Sequence, residues 1–117
     1  MTMMETSSLL YASGSVVLDV NGQGTVILQP GNANERWTIS STSVRQQGTA
    51  VKNPLYNSYV GAVTPNQAVD GSYSGNQDDS DTVIEIPYGS YFTGQWTGGD
   101  IGATLTIVVR GTRYQRR

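Results

Sequence analysis

Ala103-Thr104-Leu105-Thr106-Ile107-Val108-Val109-Arg110 places an apolar side chain at every second position. Ala103, Leu105, Ile107 and Val109 fall on one face and Thr104, Thr106 and Arg110 on the other, the period-two pattern of a half-buried strand. The same alternation recurs upstream. Val16, Leu18 and Val20 share a face, as do Val26 and Leu28, Trp37 and Ile39, Ile84 and Ile86, and Phe92, Gly94 and Trp96. No helical periodicity is sustained anywhere. Leu55 to Val60 reads as a weaker strand and Val69 to Ser74 as a short edge strand. Val44 is out of phase with Trp37, which predicts a β-bulge near the serines of Ser40-Ser41-Thr42-Ser43.

Turn signals separate these rows: Asn21-Gly22-Gln23-Gly24, read as a hairpin, Pro87-Tyr88-Gly89, and Gly98-Gly99-Asp100. Each strand has one apolar face to hide, so two layers are required. The expected fold is all-β: a single antiparallel β-sandwich, jelly-roll-like, of seven to nine short strands. Residues 14–111 form the sandwich in this reading. Residues 1–13 precede it as an N-terminal arm or first edge strand, and 112–117 follow as a basic C-terminal tail.

The chain has 117 residues, no cysteine and no histidine, and only 14% of its residues are charged. Disulfides, thiolate metal sites, a thiol nucleophile and Ser-His-Asp catalysis are therefore excluded by composition. The one lysine, Lys52, lacks a phosphate-binding loop before it. Glycoside hydrolysis by a carboxylate pair drawn from Asp19, Glu35, Asp70, Glu85 or Asp100 remains formally open, but no pair stands out, and the expectation is that the protein is not an enzyme. No cofactor is expected. The opening stretch has no basic segment, and Leu9-Leu10-Tyr11-Ala12 is too short for a signal-peptide core. No run approaches the roughly 20 apolar residues of a membrane span. Neither membrane nor nucleic acid is an expected partner, because the net charge is −2 and only the tail is basic.

Three groups of residues are candidates for contact or binding. Asn76, Asp78, Asp79 and Asp81 could offer hard oxygen ligands to Ca²⁺, but the EF-hand spacing is not met and a solvated loop is the favoured reading. The tyrosines Tyr56, Tyr59, Tyr73, Tyr88 and Tyr91 cluster near turns and polar faces; Tyr56, Tyr59, Tyr88 and Tyr91 are candidates for a protein–protein contact, together with Leu9, Leu10 and Tyr11. Arg113, Arg116 and Arg117 of the tail could add charge complementarity. Trp37 and Trp96 share parity with Ile39 and Phe92 and are assigned to the core.

The ordered set Glu35-Arg36-Trp37-Thr38-Ile39, Val69-Asp70-Gly71-Ser72-Tyr73-Ser74-Gly75-Asn76-Gln77-Asp78-Asp79-Ser80-Asp81, Pro87-Tyr88-Gly89-Ser90-Tyr91 and Gln95-Trp96-Thr97-Gly98-Gly99-Asp100-Ile101-Gly102-Ala103 resembles a β-sandwich module of virion accessory proteins in tailed phages infecting actinobacteria. The resemblance covers about residues 34–111. It implies a structural role: a capsid decoration or minor capsid protein bound to the outer shell, with a minor tail or fibre module as the alternative. A second alternative, from the load of two tryptophans and seven tyrosines, is a carbohydrate-binding module for host cell-wall glycan. The expected partner is then the major capsid protein or another virion protein, the resemblance not saying which, and the expected location is the virion. Closed symmetry favours a homo-oligomer, a trimer slightly ahead, and the absence of cysteine fits assembly in the host cytoplasm. The resemblance carries no catalytic residue onto this chain.

Overall fold

A computed structural model describes residues 4–117 and contains nine strands: β1 (Glu5–Val17), β2 (Gly24–Leu28), β3 (Glu35–Gln46), β4 (Leu55–Val60), β5 (Ala68–Ser72), β6 (Gln77–Ser80), β7 (Ile84–Ile86), β8 (Phe92–Thr97) and β9 (Thr104–Arg116). They form two antiparallel sheets. One has the order β1-β9-β3-β6, with β7 also on the β3 edge; the other has the order β2-β8-β4-β5. With β6 and β7 counted as one interrupted strand, this is the strand order of a jelly roll. The sandwich expected from the alternation is the fold the chain adopts.

The inner row of β9 is the centre of the core. Leu105, Ile107 and Val109 are fully buried and pack with Leu18, Trp37, Ile39, Val44, Ile84, Ile86, Phe92 and Trp96. The buried indole N–H of Trp96 donates to the Gly75 carbonyl at 2.9 Å, so its ring enters the core without stranding a donor. Tyr56 lies against it, with ring centroids 5.1 Å apart.

The bulge inferred from the phase of Val44 is present. Ile39 pairs with Gly111, Ser41 pairs with Arg110, and Ser40 is the extra residue between them. The insertion lets Trp37 and Ile39 on one side, and Thr42 and Val44 on the other, all face inward. It also drives the β3 backbone against β9: a Cβ on Gly111 would stand 1.9 Å from the Thr38 carbonyl oxygen.

Several expectations are corrected. Asn21-Gly22-Gln23-Gly24 does not close a hairpin, because β1 pairs with β9 and β2 with β8. The turn is an arch between the sheets. It packs against the Gly98-Gly99-Asp100 arch, where the Gly99 N–H donates to the Gly22 carbonyl at 3.1 Å. Gly22 has φ 69°, and a Cβ there would meet the Gly99 oxygen at 2.3 Å. Asp19 holds the first arch through the N–H groups of Asn21 and Gln23. Val20 lies in this arch and is exposed, not on the inner face with Leu18.

The segment expected as a basic tail is the far end of β9; of the two readings of residues 1–13, the edge strand is the one that holds from Glu5 onward, where β1 begins. Met1 to Met3 lie outside the described residues. The ends are long strands because β1, β9 and β3 pair over their whole lengths, Glu5 with Arg116 and Glu35 with Gln115. The result is an elongated body of 56 × 24 × 20 Å.

Two outcomes follow. Gly111→Ala is expected to destabilise the fold by about 3 kcal/mol through forced overpacking at the bulge. Gly31→Ala, whose methyl would meet only Glu35 Oε1 at 3.5 Å, is expected to be far milder, and urea melts compare the two. Asp100 accepts hydrogen bonds from the Val51 and Lys52 N–H groups at 2.8 and 2.9 Å. The Val51 N–H bond is the main reason its carboxyl is held below the ordinary value. The anchorage is therefore complete at neutral pH and is lost as the pH falls from about 4 through the lowered value. The Val51 and Lys52 amide resonances should move only in that acid range, and Asp100→Asn should abolish the transition.

Candidate functional site

β1 is the free edge of its sheet over 13 residues. Edge strands present unpaired N–H and C=O groups, and proteins commonly blunt them with lysine, proline, bulges or a short length. β1 contains no lysine and no proline, its only charge is Glu5, and its pairing with β9 runs without a register shift. Its outward side chains lie on the broad outer face of the sheet. There the register aligns Ser15, Thr106 and Arg45; Ser13, Val108 and Ser43; Tyr11, Arg110 and Ser41; and Leu9, Thr112 and Thr38. Leu9 is 89% exposed and Tyr11 61%. The surface is thus a Ser/Thr field with an apolar rim along the open edge. Burial of such short hydroxyl side chains costs less ordering entropy than burial of long charged ones.

Charge at the β1 end is handled inside the chain. Arg36 makes a two-toothed pair with Glu5, both distances 2.9 Å, and its guanidinium lies 3.9 Å from the ring centre of Tyr114. The hydrogen bond from Arg36 holds the Glu5 carboxyl below its ordinary value. Arg110 reaches 5.4 Å from Tyr11, and Arg116 lies 4.1 Å from Tyr88 while bonding Asn34. Such exposed stacks contribute about 0.5–1 kcal/mol each.

The contact candidates divide accordingly. Leu9 and Tyr11 lie together on the outer face, and Tyr88 and Tyr91 are half-buried near the β7–β8 connection. Leu10 (3% exposed), Tyr56 and Tyr59 are buried, so these three are not surface contacts. Leu10 alternates with Leu9 once β1 is a strand, and the Tyr56 hydroxyl is satisfied internally by Ser58 at 2.6 Å. Burial is the main cause that pushes the Tyr56 phenol well above its ordinary range. Arg113 points inward, 3.9 Å from Glu35, and Arg116 is engaged with its own chain, whereas Arg117 is exposed. Glu35 itself is buried and accepts from the Trp37 indole at 2.7 Å and from the Gly31 N–H.

The four residues considered for Ca²⁺ do not converge. Asp78 and Asp79 are neighbours in β6 and project to opposite faces. Asp79 pairs with Arg45 on the outer face, and Asp78 bonds Ser72 between the sheets. Among the described residues no group of three or more acidic side chains is arranged to hold a metal ion. The other carboxylates are each tied locally: Asp19 and Asp100 to loop N–H groups, Glu85 to Thr38, and Asp70 to Ser80 and Gly71. What sequence reading missed is the continuity of β1. Its signal was the parity of Leu10, Ala12 and Val16, interrupted by Gly14, where a Cβ would strike Val26 at 2.6 Å.

No family model matches the chain, and no curated protein does. A chain in a solved structure of infectious bursal disease virus, Gt strain, is similar, with a TM-score of 0.31 and 10% identity over 91% of this chain. This chain spans 32% of the length of that one. No helix among the described residues is long and apolar enough to cross a membrane.

Arg36→Leu should release the outer end of β1. Amide exchange across Glu5–Ser8 is expected to accelerate, with Leu105 and Ile107 protection unchanged.

Proposed function

We propose that this protein is a non-catalytic packing module of a bacteriophage particle, a capsid decoration or minor capsid protein on the outer shell. The observation that carries the proposal is the open, unguarded edge of β1, with Leu9 and Tyr11 exposed along it beside the Ser/Thr face. A partner strand laid on that edge would satisfy the free backbone groups and cover the two apolar side chains together. The motif resemblance over residues 34–111 supports the same reading. A jelly roll is a frequent architecture of viral capsid and lectin domains, which is an argument by analogy of fold only. In this proposal the major capsid protein or another virion protein supplies the seat, and copies of the chain associate, as a trimer by preference. Many weak contacts then hold the module through multivalency. The minor tail or fibre role places the same edge on a different partner. The glycan-binding alternative rests on the exposed Tyr11 and Tyr73, because both tryptophans are in the core.

The core begins at Leu10, so deletion of residues 1–8 should leave a folded sandwich with a shortened ribbon. Its occupancy on purified particles should fall well below that of the full chain. Leu9→Lys keeps the backbone and introduces the charge that guards natural edges, and it should lower occupancy with little change in thermal midpoint. Equal occupancy of both variants and the parent protein would overturn the proposal.

A further inference from the structure

Opposed residues of an antiparallel pair alternate between exchanging hydrogen bonds and turning their N–H and C=O groups the other way. The register of β1 with β9 is unbroken from Glu5–Arg116 to Val17–Thr104. Just beyond its two ends, the Arg117 N–H donates to the Met4 carbonyl at 3.0 Å and the Leu18 N–H donates to the Ala103 carbonyl at 2.8 Å. The even-numbered residues of β1 therefore bond β9, and the odd-numbered ones, from Glu5 to Val17, direct their backbone groups to the open edge. From Leu9 onward the same odd-numbered residues carry the exposed side chains, whereas Leu10 is buried and Ala12, Gly14 and Val16 are half-buried. Free backbone groups and exposed apolar side chains thus belong to one set of residues.

We infer that the free chain pairs with a second copy of itself through β1, antiparallel and about a two-fold axis at Leu10. Such an axis sets odd-numbered residues opposite odd-numbered ones, so each opposed pair exchanges its unmet hydrogen bonds. It places Leu9 of each copy opposite Tyr11 of the other, Ser7 opposite Ser13, and Glu5 opposite Ser15. An axis at Leu9 would leave Tyr11 facing Ser7, and one at Tyr11 would leave Leu9 facing Ser13. Only the axis at Leu10 gives two aliphatic–aromatic cross-strand pairs, which are among the favourable ones. On the inner face it opposes small side chains, Ser8 to Ala12 and Thr6 to Gly14. Charge permits the contact as well. Glu5 is the one charged residue of β1 and is already paired with Arg36, and the two Glu5 side chains would stand about 34 Å apart along the strand. Isologous contact of this kind makes a closed dimer and leaves neither β1 edge open. The inference concerns the chain off the particle. It shares the β1 edge with the particle reading but does not depend on it.

The test is sedimentation equilibrium and amide exchange of the full chain between about 0.01 and 1 mM, since a contact confined to one strand edge lies at the small end of specific interfaces. A monomer–dimer equilibrium is expected. The Leu9, Tyr11 and Ser13 amides should gain protection with concentration, and those of Leu10 and Ala12 should be protected throughout. Ser13→Pro removes only an N–H that faces the edge, and it should give a monomer with little change in thermal midpoint. Leu9→Lys should weaken association about tenfold. Register is read by oxidising a mixture of Leu9→Cys and Tyr11→Cys chains, the parent having no cysteine. The mixed disulfide should dominate, because residues directly opposed as a hydrogen-bonded pair lie within disulfide reach, about 5.5 Å between Cα atoms. In either homodimer the two sulfurs would be offset by about 7 Å along the strand. A monomer or trimer at every concentration, no added protection at Leu9, Tyr11 and Ser13, undiminished association of Ser13→Pro, or homodimeric disulfides in excess of the mixed one would each overturn the inference. Loss of particle occupancy by Leu9→Lys from a parent that is monomeric throughout would overturn it and leave the particle reading standing.

Discussion

The close approach of two backbones at Gly111 is the constraint on which the first sheet depends. β3 and β9 pair on both sides of Ser40, and the extra residue changes the parity of β3 in mid-strand. Without it, either Trp37 and Ile39 or Thr42 and Val44 would turn to solvent. The bulge brings the Thr38 carbonyl to where a side chain on residue 111 would begin, so only glycine fits. The same point divides the outer edge of β3: β7 pairs before it, along Trp37–Ile39, and β6 pairs after it, along Thr42–Arg45.

Sequence alternation was a reliable guide to which side chains face inward and a poor guide to which strands are neighbours. The row Ala103 to Val109 and the phase slip at Val44 could be read directly, because burial on one face of a strand leaves a period of two. The arches could not. Asn-Gly and Gly-Gly-Asp segments encode the backbone angles of a tight reversal, and those angles serve a hairpin or a crossing between sheets equally well. Tyr56 was misread because a phenol is amphipathic. Its interior seat is made by Ser58, two residues on, and by Gly94 opposite, whose missing side chain leaves room for the ring. Asp78 and Asp79 looked like one acidic cluster because composition has no parity; once in a strand they part to opposite faces.

The two edges of the larger sheet differ in what they leave open. Along β1 these are backbone amides, with Leu9 and Tyr11 exposed beside them. Beside β6 the Asp70 and Asp78 carboxylates are each met by a serine hydroxyl and a backbone N–H. The basic side chains are largely committed within the chain, Arg36 to Glu5 and Tyr114, Arg45 to Asp79, and Arg116 to Tyr88 and Asn34.

The position of β9 has a kinetic consequence. β9 lies between β1 and β3 in the larger sheet; β1 takes its sheet hydrogen bonds from β9, and β3 takes the longer of its two sets from it. During synthesis β1 has no sheet neighbour, and β3 only the short β6 and β7, until Thr104–Arg116 has been made. Closure of such distant pairings is slow, and in that interval the unpaired strands are exposed to other chains. The sparse charge that suits the finished surface offers little protection in transit.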